Sequence, residues 1–324
     1  MSVDDTVYLS VVLPLLNEEE NIAVLNSELQ QACSNLGKNY EIIYIDDGST
    51  DKSVELLLEL QEQDSHIVVV SFRRNFGQTA AIAAGFDYAR GEVIVSMDAD
   101  LQNDPRDIPH FLEKIEEGYD VVTGWRHDRK DKFISRRLPS ILANKIISST
   151  TGVRLHDYGC TLKAFRREVV KNIRLYGEMH RFIPAIASGM GISITEIKVN
   201  HRPRQFGTSK YGIGRTFKVV LDLVTVKFLL SYATRPIQVF GLAGMVSGGI
   251  GFLLTLMMIF QRQFLQQPMG DRPLLFLAIL LMFIGVQFVT IGLLAEIQAR
   301  TYHESQDKPI YYVKKIFRGN ETCN

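Results

Sequence analysis

The sequence predicts an α/β head built on a mostly parallel sheet, followed by a two-helix membrane hairpin. Strand-length apolar runs alternate with helix-spaced segments from Leu9 to Gly124. Two long uncharged stretches lie near the C-terminus. The charge is also split: residues 1–120 hold 24 acidic and 7 basic side chains, and the remainder 12 and 29. The formal net charge of zero thus cancels an acidic head against a basic remainder.

In the head, Leu9–Pro14 reads as a buried strand. Ile22, Leu25, Leu29, Ala32 and Leu36 recur at helical spacing within 19–36. Glu41–Asp46, Ile67–Phe72, Val93–Asp98 and Asp120–Gly124 read as further strands. Helices are expected at Ser53–Gln63, at Gln78–Arg90 (ended by Gly91), and from Asp104-Pro105 to about Glu117. There Asp104 suits the cap and Pro105 the first helical position. Strands alternating with helices favour a parallel sheet covered on both faces.

Beyond Trp125 the alternation breaks. Residues 132–150 are basic at Lys132, Arg136, Arg137 and Lys145 and apolar at Ile134, Leu138, Ile141, Leu142 and Ile146. Residues 160–200 mix short strands and a helix, and Arg215–Leu230 is again amphipathic. Two basic amphipathic segments ahead of apolar spans suit helices lying in a membrane interface. Ile237–Phe260 and Leu274–Ala295 run 24 and 22 residues without a charge. At about 1.5 Å per residue each exceeds a hydrocarbon core of roughly 30 Å.

The expected organisation is a head over 1–212, an interface helix over 213–235, a membrane domain over 236–298 and a tail over 299–324. Met1–Tyr8 has no apolar core of a signal peptide, and basic residues flank the outer ends of the spans. The positive-inside rule then predicts an integral membrane protein with the head and both termini cytoplasmic. Gly244 and Gly248 form a small-xxx-small pair, which serves either packing of the two spans in one chain or contact in a homo-oligomer. Cys33, Cys160 and Cys323 have no paired spacing, which argues for a reducing compartment and against a thiolate metal site.

Ligands of open α/β sheets bind beyond the C-terminal strand ends. Three acidic turns are expected there: Asn17-Glu18, Asp46-Asp47-Gly48-Ser49 and Asp98-Ala99-Asp100. Carboxylates crowded at one edge repel unless a cation or hydrogen-bond donors compensate. An all-oxygen set suits Mg²⁺ or Mn²⁺. The sequence has neither the G-x-G-x-x-G of a dinucleotide fold nor a P-loop.

These segments, with Met97-Asp98-Ala99-Asp100-Leu101-Gln102, resemble family 2 glycosyltransferases of the GT-A fold, a Rossmann-like α/β fold. Asp157-Tyr158-Gly159-Cys160, Phe165-Arg166 and Arg204-Gln205-Phe206-Gly207-Thr208-Ser209-Lys210 are similar to those of polyprenyl-phosphate glycosyltransferases. That group includes dolichol-phosphate mannose synthases and GtrB-type bactoprenol glucosyltransferases, and the two C-terminal spans match the latter. Processive family 2 synthases carry Gln-x-x-Arg-Trp. Here the one tryptophan is Trp125, which argues against a polymerising synthase.

The resemblance implies a metal-dependent, inverting transfer of one sugar, with UDP-glucose as the expected donor and undecaprenyl or a related polyprenyl phosphate as acceptor. It places Asp98, Asp100 and Gln102 at the metal. Pro14, Glu18, Asp47, Arg73, Asn75 and Asp98 are placed at the nucleotide-sugar. Arg126, Arg136, Arg137, Arg204 and Lys210 are the expected phosphate-binding residues, with Arg129 and Arg202 behind them. Asp157 is the family's candidate base. A phosphate with a second pKa of about 6 is already ionised at neutral pH, so Asp157 could instead orient the acceptor or its basic partners. The rival readings are a GDP-mannose or UDP-aminosugar donor, and a non-catalytic membrane scaffold. The bilayer is an expected partner; nucleic acid is not.

Overall fold

The computed structural model describes residues 6–127, 148, 152–173, 175, 179–203, 237–266, 273–305, 311–318 and 321–323. The expected interface helices over 132–150 and 213–235 fall outside this set, apart from the single helical residue Ser148. The chain divides into two compact units, residues 1–226 with 309–324, and residues 227–308.

The first unit is built on β1 (Leu9–Leu15), β2 (Tyr40–Asp46), β3 (Ile67–Phe72) and β4 (Val93–Ser96). Each is buried on both faces, apart from half-buried Tyr40, as expected of strands covered by helices on either side. They pair in parallel in the order β4-β1-β2-β3. The crossovers are α1 (Glu19–Ser34), α2 (Ser53–Gln63) and α3 (Gln78–Tyr88). Ile22, Leu25 and Leu29 of α1 enter the main core with Leu13, Tyr44 and Val95. α3 lies so close to β1 that a Cβ on Gly85 would come within 2.1 Å of Val12 Cγ1. Asp104 caps as expected, its side chain accepting from Arg106 N at 3.1 Å. The chain then makes one 3-10 turn, Pro105–Asp107, before α4 (Ile108–Glu116).

β5 (Val121–Trp125) does not join β4 directly. β6 (Lys163–Arg166) lies between them, antiparallel to both. The short helices α5 (Arg167–Asn172) and α6 (Ile183–Ser188) follow, and β7 (Ile194–Lys198) runs parallel to β5. The far edge of the sheet differs from the sequence reading, which placed only a tail after residue 299. β8 (Val313–Arg318) pairs antiparallel with β3, and β9 (Glu321–Cys323) pairs with β8. Added strands protect an edge that β3 would otherwise expose.

The second unit holds α7 (Ile237–Leu265) and α8 (Pro273–Ser305), which pack against each other. Both contain stretches long and apolar enough to cross a membrane, Phe240–Leu265 and Pro273–Ala295. Met245, Phe276 and Phe283 are 67%, 71% and 70% exposed, a surface suited to lipid rather than water. The glycines hold the two helices together. A Cβ on Gly285 would lie 2.7 Å from Gly244 O and 2.8 Å from Gly248 Cα, and one on Gly251 would lie 2.6 Å from Ala278 O. The small-xxx-small pair is therefore used within the chain. Gly249 faces open space, with nothing within 4 Å of an added Cβ. Gly285→Leu should separate the helices and lower the melting temperature of the detergent-solubilised protein, whereas Gly249→Leu should leave it near wild type. Equal melting temperatures for the two variants would contradict this packing.

Candidate active site

Parallel pairing aligns Leu15 with Asp46 and Asp46 with Ser71, so the loops after β1, β2 and β3 leave one sheet edge. The loop after β4 leaves the same edge, since β4 runs parallel to β1. The three acidic turns therefore do converge.

Most of their charge is met by backbone donors. Asp46 accepts from Ser49 N at 2.8 Å and from the Ser71 hydroxyl at 2.9 Å. Asp47 reaches across to the loop after β3, where Phe76 N and Gly77 N donate to its two oxygens at 2.7 and 2.9 Å. Burial raises the Asp47 carboxyl above its usual range, and these two donors work against that rise. The turns after β1 and β2 also interlock. Asn17 N donates to Ser49 Oγ at 2.9 Å, Thr50 N to Asn17 Oδ1 at 2.8 Å, and Glu18 N to Ser53 Oγ at 2.9 Å. The Glu18 carboxylate accepts from Asn21 Nδ2 at 2.5 Å. Gly48, at φ +78°, lets the loop after β3 lie on this turn, since a Cβ there would sit 2.7 Å from the Arg74 carbonyl carbon. Pro14 is buried in β1, while Arg73 and Asn75 are exposed on the loop above.

Asp98 and Asp100 behave differently. Burial and the neighbouring charge of Asp100 push the Asp98 carboxyl up to about 6. Asp98 accepts from Gln78 Nε2 at 2.7 Å and is hydrogen-bonded to Thr161. Asp100 is buried, and its Oδ1 accepts from Gln102 N at 3.2 Å. Leu101, between them and Gln102, has φ +60°, a costly conformation for a residue with a branched side chain. A half-buried carboxylate whose ionisation is opposed, beside a buried second one, forms a place where a divalent cation is stabilising. Among the described residues no set of three His, Cys, Asp or Glu side chains surrounds one point. A cation held by this pair would take its other ligands from phosphate oxygens and water, a pattern that suits Mg²⁺.

A basic cluster adjoins the pair. Arg126, just past β5, grips Asp157 with both prongs: Nε to Oδ2 at 2.7 Å and Nη2 to Oδ1 at 2.9 Å. Asp157 is buried and also accepts from Gly159 N at 3.1 Å. Burial would lower the Arg126 guanidinium, but Asp157 more than offsets this and raises it. Lys163, at the start of β6, is buried and donates to Cys160 O, bracing the loop that carries Asp157. Burial lowers its ammonium. Arg126 and Lys163 both act on Asp98 by charge, which puts the acidic pair and the basic cluster in one neighbourhood.

Arg136, Arg137, Arg204 and Lys210 lie outside the described residues, as does Arg129. Arg202 is bound elsewhere: its guanidinium pairs with Glu28 at 2.8 Å and Asp104 at 2.7 Å. Sequence reasoning passed over Gln78, Thr161 and Lys163. Lys163 lies just beyond the Asp157-Tyr158-Gly159-Cys160 motif; Gln78 and Thr161 reach Asp98 only through the tertiary fold.

Comparison with known proteins gives the family and the fold. The family described as Glycosyl transferase family 2 matches residues 10–174. Dodecaprenyl-phosphate galacturonate synthase from Rhizobium johnstonii is 44% identical over 95% of this chain and 93% of its own. Undecaprenyl-phosphate 4-deoxy-4-formamido-L-arabinose transferase from Klebsiella pneumoniae is 39% identical over 97% and 95%. Among solved structures, glucosyl-3-phosphoglycerate synthase from Mycobacterium tuberculosis, in complex with Mn²⁺, UDP and phosphoglyceric acid, is similar at a TM-score of 0.54. It is 18% identical, over 69% of this chain and 78% of its own. Mannosyl-3-phosphoglycerate synthase from Rubrobacter xylanophilus is similar at a TM-score of 0.56, with 16% identity over 68% and 74%. These two show a shared GT-A fold. The chain belongs to glycosyl transferase family 2, within its polyprenyl-phosphate glycosyltransferases.

Proposed function

We propose that the protein moves one sugar from a nucleotide-sugar to a polyprenyl phosphate in a single in-line displacement with inversion, at the cytoplasmic face of a bacterial inner membrane. The apolar hairpin would keep the head at the plane where the acceptor phosphate lies, raising its effective concentration. The observation that carries the reading is the Asp98–Asp100 pair beside the Arg126–Asp157 pair.

Asp98 and Asp100, with Gln102 near, would hold Mg²⁺ or Mn²⁺ together with the donor diphosphate. The cation, when bound, supplies charge neutralisation for the departing nucleoside diphosphate. Pro14, Glu18, Asp47, Arg73 and Asn75 would line the nucleoside side. Arg126, joined by Arg136, Arg137, Arg204 and Lys210, would meet the acceptor phosphate. Asp157 is better suited to aiming Arg126 than to taking a proton, because both its oxygens already accept from that guanidinium and the acceptor is ionised. For the sugar, the named relatives favour a uronic or 4-amino-modified sugar over glucose, with UDP as the expected carrier.

Three outcomes are expected. Mass spectrometry of lipid products from a panel of nucleotide-sugars should show one added sugar, with a uronic or amino-modified donor preferred; no glycosylated lipid from any common donor would favour a scaffold. Asp157→Asn should raise the acceptor KM by about tenfold or more, the scale of ~1.4 kcal/mol, while the pH–rate profile keeps its shape. Loss of the acidic limb would restore Asp157 as the base. Burial and the charge of Asp100 push the Asp98 carboxyl up to about 6, so proton and cation would compete for it. Mn²⁺ should therefore raise the melting temperature at pH 7.5, do so much less at pH 5, and not do so in Asp98→Asn; equal gains at both pH values would contradict the assignment.

A further inference from the structure

The loop after β3, residues 73–77, is held from two sides. Asp47 holds it from the sheet edge through Phe76 N and Gly77 N. The other hold comes from the segment that follows the apolar hairpin. Arg73 N donates to Tyr312 O at 3.2 Å. The Tyr311 ring stacks on Phe72, with centroids 5.2 Å apart and planes 13° from parallel. The Tyr312 ring lies 6.1 Å from that of Phe76. Tyr311 is itself fixed, buried and donating its hydroxyl to Asp87 on α3 at 2.8 Å. The β3–β8 register shifts between Ser71 and Phe72, the point where the loop departs. Such irregularities re-aim the chain beside sites. The far end of β8 is anchored separately, Arg318 Nη2 donating to Tyr88 O at 3.0 Å and lying 3.6 Å from Glu41.

We infer that Tyr311 and Tyr312, which begin the post-hairpin segment, are a positioning element of the donor site: they clamp the 73–77 loop against Asp47 and so preset the wall on which the nucleoside diphosphate rests. This rests on the donor-site reading above. Tyr311 and Tyr312 act through the loop rather than on the reacting atoms. A loop ordered in advance spares the ordering cost that binding otherwise meets. Because the segment follows both apolar helices in sequence, the loop gains this support only after the hairpin has been synthesised.

The test uses the full chain in detergent, with three readouts: hydrogen exchange of the Phe76 and Gly77 amides, affinity for UDP with Mn²⁺, and melting temperature. Tyr311→Ala should speed exchange in the loop and weaken UDP binding about tenfold. Tyr311→Phe keeps the stacking and loses only the bond to Asp87, so its effect should be about threefold. Arg318→Gln, at the far end of the strand, should lower the melting temperature without changing loop exchange or UDP affinity. The inference is overturned if Tyr311→Ala leaves loop exchange at the wild-type rate, or if Arg318→Gln weakens UDP binding as much as Tyr311→Ala does. A wild-type chain that binds neither UDP nor GDP with Mn²⁺ would defeat the donor-site reading instead, and the exchange rates would still decide the clamp.

Discussion

Asp98 and Asp100 stand just past the end of β4, and the surroundings of Asp98 disfavour its negative charge. Burial raises the first carboxyl, and the charge of the second raises it further. The rest of the site can be understood as a response to that pair. Gln78 and Thr161 bind Asp98, Arg126 and Lys163 offset its charge, and the Leu101 backbone takes a strained turn beside it. Such a carboxylate pair would suit a cation-bound diphosphate, because a cation gains most where water is largely excluded.

The other carboxylates of the same edge resolve their repulsion differently. Asp46, Asp47 and Asp51 each accept from backbone N–H groups, so they tie loops together. The sheet edge thus separates two uses of one residue type: carboxylates that shape loops, and a pair in which Asp100 opposes the ionisation of Asp98. The same economy recurs on the basic side. Arg126 is oriented by Asp157, and the loop bearing Asp157 is braced by Lys163. Arg202, of the same residue type, instead links the turn at Asp104 to α1 through Glu28.

Local signals made much of this legible in the sequence. The four parallel strands are apolar runs with turn residues at their ends, and the crossover helices carry helical spacing. The Asp104-Pro105 cap and the two apolar helices were equally plain. What escaped depends on distant partners. β6 is a four-residue strand inserted between β4 and β5, and nothing local marks that insertion. β8, Val-Lys-Lys-Ile-Phe-Arg, carries two exposed lysines and pairs with a strand more than two hundred residues earlier. The hold of Asp47 on the loop after β3 was equally hidden, since its hydrogen-bond partners lie 29 and 30 residues away. The glycines of the hairpin left two uses open, and only the positions of Gly285 and Ala278 on the facing helix decide for packing within the chain.

The central claim is that the acidic pair holds a cation-bound donor within reach of Arg126. A structure of the full chain with UDP and Mn²⁺, with manganese located by its anomalous scattering, addresses it most directly. The account predicts one manganese ion bound by the carboxylates of Asp98 and Asp100 and by the diphosphate, with the Arg126 guanidinium facing the same pocket. Manganese bound away from both carboxylates, or a diphosphate lying on another edge of the sheet, would contradict it.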